Sequence, residues 1–167
     1  ITFFIPRHVG TSSRGVVFGF MCVSAFLAMW TTTLGGAAMA TPLALGILKH
    51  MGLKPLKSNF GRALMIACSW GALCGGISTP AGSGPNPLAI GFMQDLAGIE
   101  ISFLDWMMYG VPAMLLMLPV GWFVLIKMFP PEIDRLPVSV EQIEHEVKHL
   151  GPMTGREIWT CVVFAVT

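Results

Sequence analysis

Charge is scarce in this sequence: only 11% of its 167 residues are Asp, Glu, Lys or Arg, against roughly 25% in an average soluble domain. With 54% hydrophobic residues and a mean hydropathy of +0.71, an ordinary soluble fold is excluded. Ten basic and nine acidic side chains leave a formal charge of +1, so there is neither a basic field for nucleic acid nor an acidic tail. The partner implied is the lipid bilayer. Cysteines are few and dispersed. Cys22, Cys68, Cys74 and Cys161 sit singly in apolar runs with no CxxC spacing, which argues against a zinc cluster or a disulfide framework and leaves small core residues. No basic n-region precedes an apolar h-region at the start, so no signal peptide is expected there. The sequence opens at Ile1 and stops at Thr167, within the apolar run 158–167, about half the length of a span. It is therefore expected to be one part of a longer membrane protein.

A charge at the bilayer centre costs at least about 2.5–3.5 kcal/mol, so charge-free stretches mark the membrane path. They are residues 15–48, 63–94 and 106–126, and only the last has the length of one transmembrane helix. Residues 49–62 carry Lys49, Lys54, Lys57 and Arg62 without an acid, and Arg7 and Arg14 precede the first stretch. Both ends of 15–48 are thus expected in the cytoplasm. Residues 95–105 hold Asp95, Glu100 and Asp105 without a base and are assigned outside. Residues 127–157, with Lys127, Arg135, Lys148 and Arg156, return to the cytoplasm.

A stretch with both ends on one side crosses an even number of times, and two spans with a turn need more than about 40 residues. Residues 15–48 are too few. Divided at 31–36, they give arms of about 15 and 12 residues reaching roughly 18–22 Å, short of the hydrocarbon thickness. A re-entrant helical hairpin is predicted. Residues 63–94 have the opposite property, too long for one span and interrupted at 75–86 by GGISTPAGSGPN, a run that no continuous helix tolerates. The predicted broken helix has one half from 63 to about 76 and a second half with Asn86 as N-cap and Pro87 at the first helical position. In 127–157, Pro130, Pro131 and Pro137 are followed by a Ser139/Gln142 capping box and by Val140, Ile143, Val147 and Leu150 on one face, an amphipathic interfacial arm. A Thr154/Glu157 box starts the next apolar helix. The fold class expected is all-α integral membrane.

Unwound backbone at membrane depth is tolerated only where protein or a watery cavity receives it. Broken helices in transporters turn half-helix N-termini toward anions and freed carbonyls and hydroxyls toward small cations. Here the hydroxyls are Thr31, Thr32 and Thr33, the amides lie around residues 86–88, and the carbonyls belong to Gly82 and its neighbours. The bland alternative is a simple kink with packing threonines; two broken elements in succession weaken it.

Residues 28–42 from AMWTTTL to Pro42, GGISTPAGSGPN at 75–86, ISFLDWMMYGVP at 101–112 and LGPMTGRE at 150–157 together resemble the divalent anion/sodium symporter family of dicarboxylate, citrate and sulfate transporters. The resemblance runs in order over nearly the whole chain and corresponds to much of the first of two inverted repeats. It implies a secondary transporter for a divalent anion, coupled to sodium or working by anion exchange, in the cell membrane and in an elevator-like homodimer. It carries the family's hairpin-tip Ser-Asn-Thr motif onto Thr32, Thr33 and Leu34, and its Gly-Thr-Pro-Pro-Asn loop onto Gly82, Ser83, Gly84, Pro85 and Asn86. The implied substrate residues are Thr32, Thr33, Ser83 and Asn86, and the implied sodium residues Thr32, Thr33 and Gly82. Three positions depart from the pattern: Leu34 has no hydroxyl, Thr33 lacks the amide of Asn, and Ala28 replaces a Ser. Importing a dianion against −100 mV costs roughly 4.6 kcal/mol, which cation co-transport or exchange for another dianion would offset.

Competing signals are weaker. His145, Glu146 and His149 spell HExxH, the zinc metalloprotease pattern, but Gly151 and Pro152 end the helix one turn later and no third ligand follows. Glu and His on a solvated helix face explain it more simply, with a membrane metalloprotease as the enzyme-class alternative. A non-transporting membrane subunit is a third reading, prompted by the altered tip. The glycine-rich run lacks the Gly-Lys-Ser/Thr of a P-loop. Gly71 and Gly75 form a GxxxG pair suited to close helix packing, and Trp106 and Tyr109 read as interfacial anchors. His8 and His50 are assigned no chemistry.

Overall fold

Hydroxyl side chains start most of the helices. Ser58 and Thr32 accept from backbone amides three residues on, Gly61 and Gly35, each at 3.0 Å, and Ser102 forms a reciprocal capping box with Asp105, satisfying amides that a helix start leaves orphaned. The computed structural model describes residues 12–53 and 57–132. It comprises α1 (Ser13–Trp30), α2 (Thr33–His50), α3 (Asn59–Ser78), a 3-10 turn (Pro80–Gly82), α4 (Pro85–Ala97) and α5 (Phe103–Met128). The described residues hold no β-strand, and α1, α3 and α5 are each long and apolar enough to cross a membrane. This is an all-helical integral membrane architecture.

Helix α3 is central, packed by α1, α2 and α5. Its small residues make that possible. The carbonyl of Met21 lies against Gly71 and that of Ala25 against Gly75, with no room for a Cβ at either. The pairs advance together along both chains, so α1 and α3 run parallel at backbone contact. Ser24, buried in this seam, donates its hydroxyl to Cys68 O. Helix α2 returns antiparallel to α1, Gly36 lying so close that a Cβ would meet Ala28 Cα at 2.8 Å. Antiparallel α5 sets Gly110 beside Ser78 O and Gly121 against the Trp70 indole. Around these contacts Val17, Phe20, Met21, Leu48, Phe60, Leu64 and Cys68 form the apolar core. At the basic end, Trp122 Nε1 donates to Arg14 O at 2.9 Å and its ring meets Phe18 edge-on at 5.6 Å.

Several expected boundaries move. The hairpin turn is only Thr31 and Thr32, and the arms are 18 residues each, about 27 Å rather than 18–22 Å. Gly35 and Gly36 fall inside α2 because the Thr32 cap starts the helix before them and Gly36 is needed where α2 touches α1. Helix α3 likewise runs through Gly75 and Gly76 to Ser78; the true break spans Thr79 to Gly84. The N-cap of α4 is Gly84, with Pro85 first in the helix, not Asn86 and Pro87. Asn86 is diverted, since its side chain faces back to α3. Helix α5 begins at Phe103 because the Ser102/Asp105 box adds a turn ahead of 106. The amphipathic arm, the Thr154/Glu157 box, the run 158–167, Cys161 and the HExxH residues lie outside the described residues.

Candidate functional site at two interrupted helices

The break between α1 and α2 and the break between α3 and α4 face each other. Thr33 Oγ1 donates to Gly82 O at 3.2 Å, and Thr79 Oγ1 donates across to Met29 O at 2.7 Å. Gly76 and Gly82 pack face to face: a Cβ on Gly82 would approach Gly76 O at 2.7 Å, and one on Gly76 would strike the Thr33 hydroxyl. Two glycines therefore let the end of α3, the 3-10 turn and the hairpin tip converge.

Asn86 is the loop's internal brace. Its Nδ2 donates to Gly76 O at 2.8 Å and to Thr79 O at 2.7 Å, spanning from the last turn of α3 to the first turn of α4. The Gly76 carbonyl has no helical donor, since Pro80 four residues on lacks an N–H, and Thr79 O otherwise has only a long 3.3 Å bond from Gly82 N. Thr79 is fully buried and takes the extended backbone conformation imposed on a residue before proline. Its hydroxyl also accepts from Gly82 N at 3.0 Å. Among the described residues no buried polar side-chain atom lacks a partner.

The two half-helix N-termini are not equivalent. In α4, Pro85 and Pro87 have no N–H and the amide of Asn86 is taken by Ser83 O at 3.1 Å, so the donors expected around residues 86–88 are largely absent. In α2, Thr32 caps Gly35 N, and the amides of Thr33 and Leu34 make no hydrogen bond within the described chain. Of the two positive helix ends, the one at the hairpin tip thus keeps more N–H groups without a partner among the described residues. Leu34 projects there with 83% of its surface exposed. Of the sequence-nominated residues, Thr33, Gly82 and Asn86 are drawn into one network, whereas Thr32 serves its own helix and the half-buried Ser83 hydroxyl bonds to nothing described. Thr79 and Gly76 were missed by sequence reasoning; a Thr directly ahead of Pro80 was the available signal.

The sequence matches the family of the sodium:sulfate symporter transmembrane region over residues 1–167, and the chain belongs to that family. It is 31% identical over 96% of its length to a sodium-dependent dicarboxylate transporter of Staphylococcus saprophyticus, covering 32% of that protein. A protein of Staphylococcus aureus with the same description is 26% identical over 97% of the chain, with 33% of the relative covered. A Cupriavidus necator protein described only as a membrane protein is 28% identical over 88% of the chain and 29% of its own length. The chain spans about a third of these curated relatives. It is a membrane-embedded, multi-pass protein.

Proposed function

We propose that this chain forms the first-repeat half of the binding site in a secondary active transporter that moves a divalent anion across the cell membrane. The carrying observation is the direct joining of the two interrupted helices, Thr33 Oγ1 to Gly82 O and Thr79 Oγ1 to Met29 O. Interrupted helices meeting at polar tips serve ion and substrate binding in transporters. Thr32, Thr33 and the Gly82 carbonyl are the sodium-facing groups. Thr32, Thr33, Ser83 and Asn86 contribute to the anion site, with the α2 amides as its positive end. Residues 1–126 belong to the membrane transport part, 127–157 to a cytoplasmic arm and 158–167 to the next helix. The functional unit is a homodimer, and no catalytic chemistry is assigned.

Helix geometry supports a re-entrant reading of 15–48. Ser78, at the tips, lies beside Gly110, and α5 continues to Phe103, about 10 Å farther. The tips therefore stop short of the far end of a helix long enough to cross. The dicarboxylate descriptions of the relatives and a carboxylate's hydrocarbon body, which suits the exposed Leu34 better than an inorganic oxyanion, support a dicarboxylate substrate.

The test is uptake of labelled succinate and sulfate into liposomes containing the full-length protein, with an inward sodium gradient or with unlabelled dianion inside. Succinate uptake driven by sodium is expected. Uptake only with preloaded dianion would replace symport by exchange, and no flux of either anion in a folded preparation would refute transport.

A further inference from the structure

We infer that Thr79 is the positioning residue of the cation site, holding Gly82 so that its carbonyl meets the Thr33 hydroxyl; this rests on the sodium-facing role proposed above for Gly82. Gly82 is anchored at both ends. Its N–H is held by Thr79 Oγ1 at 3.0 Å and its carbonyl receives Thr33 Oγ1 at 3.2 Å. The same Thr79 hydroxyl donates to Met29 O at 2.7 Å, a carbonyl in the last turn of α1 left without a helical partner. One side chain, with none of its surface exposed, thus fastens the terminus of one broken helix to the cation-facing turn of the other. Asn86 in turn holds the Thr79 carbonyl. Without the Thr79 hydroxyl, Met29 O loses its donor and the Gly82 N–H keeps only a longer bond to Thr79 O at 3.3 Å. Gly82, with no side chain to fix it, would then swing away from Thr33.

Thr79→Val keeps the shape and removes the hydroxyl. In full-length protein reconstituted in liposomes, the sodium concentration for half-maximal succinate uptake should rise about tenfold, while the rate at saturating sodium falls much less. Thr79→Ser should restore the wild-type value. Sodium chloride, with choline chloride as control, should raise the melting temperature of detergent-purified wild-type and Thr79→Ser protein, and Thr79→Val should need about tenfold more sodium for the same rise. If Thr79→Val does not fold, Thr79→Cys, a weak donor of similar size, should show the same shift in smaller measure. An unchanged sodium half-saturation in the folded Val or Cys variant overturns the inference while sodium binding by the protein stands. Absence of any sodium effect on wild-type uptake and melting overturns the sodium reading itself, and the role of Thr79 with it.

Discussion

At the scale of single residues, the site depends on side chains that replace lost helical hydrogen bonds. Asn86 is 8% exposed and gives both amide hydrogens to carbonyls of the break. Asn86→Ala would orphan the Gly76 carbonyl and leave Thr79 O only the 3.3 Å bond from Gly82 N, and should lower stability by about 2 kcal/mol, read as a lower melting temperature of purified protein. Asn86→Asp at neutral pH should be worse than Ala, because a carboxylate would face two carbonyl oxygens. Protonating that carboxyl restores one donor, so its deficit should shrink as the pH falls. Equal deficits for the two variants at every pH would contradict the bracing role. The polar character of this loop was legible in the sequence; the direction of Asn86 was not. Asn before Pro reads as a cap until the carbonyls of Gly76 and Thr79 are seen within reach.

At the scale of elements, glycine positions divide into contacts and open surface. Gly75 is pressed on the Ala25 carbonyl, whereas a methyl group added at Gly46 in α2 would meet nothing within 4 Å. Gly75→Ala should force α1 and α3 apart and cost about 1–3 kcal/mol. Gly46→Ala should be neutral or stabilise by up to about 1 kcal/mol through helix propensity. The melting temperature should therefore fall for Gly75→Ala and not for Gly46→Ala, and a harmless Gly75→Ala would refute backbone contact between the parallel helices. The GxxxG spacing signalled close packing. It could not signal that the partner is α1, because Met21 and Ala25 are unremarkable apolar residues until register places their carbonyls there.

At the scale of the whole molecule, charge and helix direction agree. Arg14 lies beside Trp122 near the end of α5 that carries Lys127, while Asp105 caps the opposite end. Lys57 and Glu100 are both exposed, so cysteines introduced at Lys57 and Glu100 should react with a membrane-impermeant thiol reagent from opposite faces, Lys57→Cys from the cytoplasmic face only. Labelling of both from one face would abolish the assigned path, and labelling of Lys57→Cys from the outer face only would invert it.

The sequence alone determined the membrane class and the approximate places of the two interruptions, because charge exclusion from hydrocarbon and the helix-breaking power of Gly and Pro act locally along the chain, and its motifs carried the family resemblance. Tertiary structure decided what the interruptions do. Arms of 18 residues, the parallel register of α1 with α3, and the Thr79 hydroxyl shared between Met29 and Gly82 all depend on contacts between residues far apart in the chain. Such contacts are fixed by where small residues let backbones approach, and by which orphaned carbonyl a hydroxyl can reach, neither of which is written at any one position.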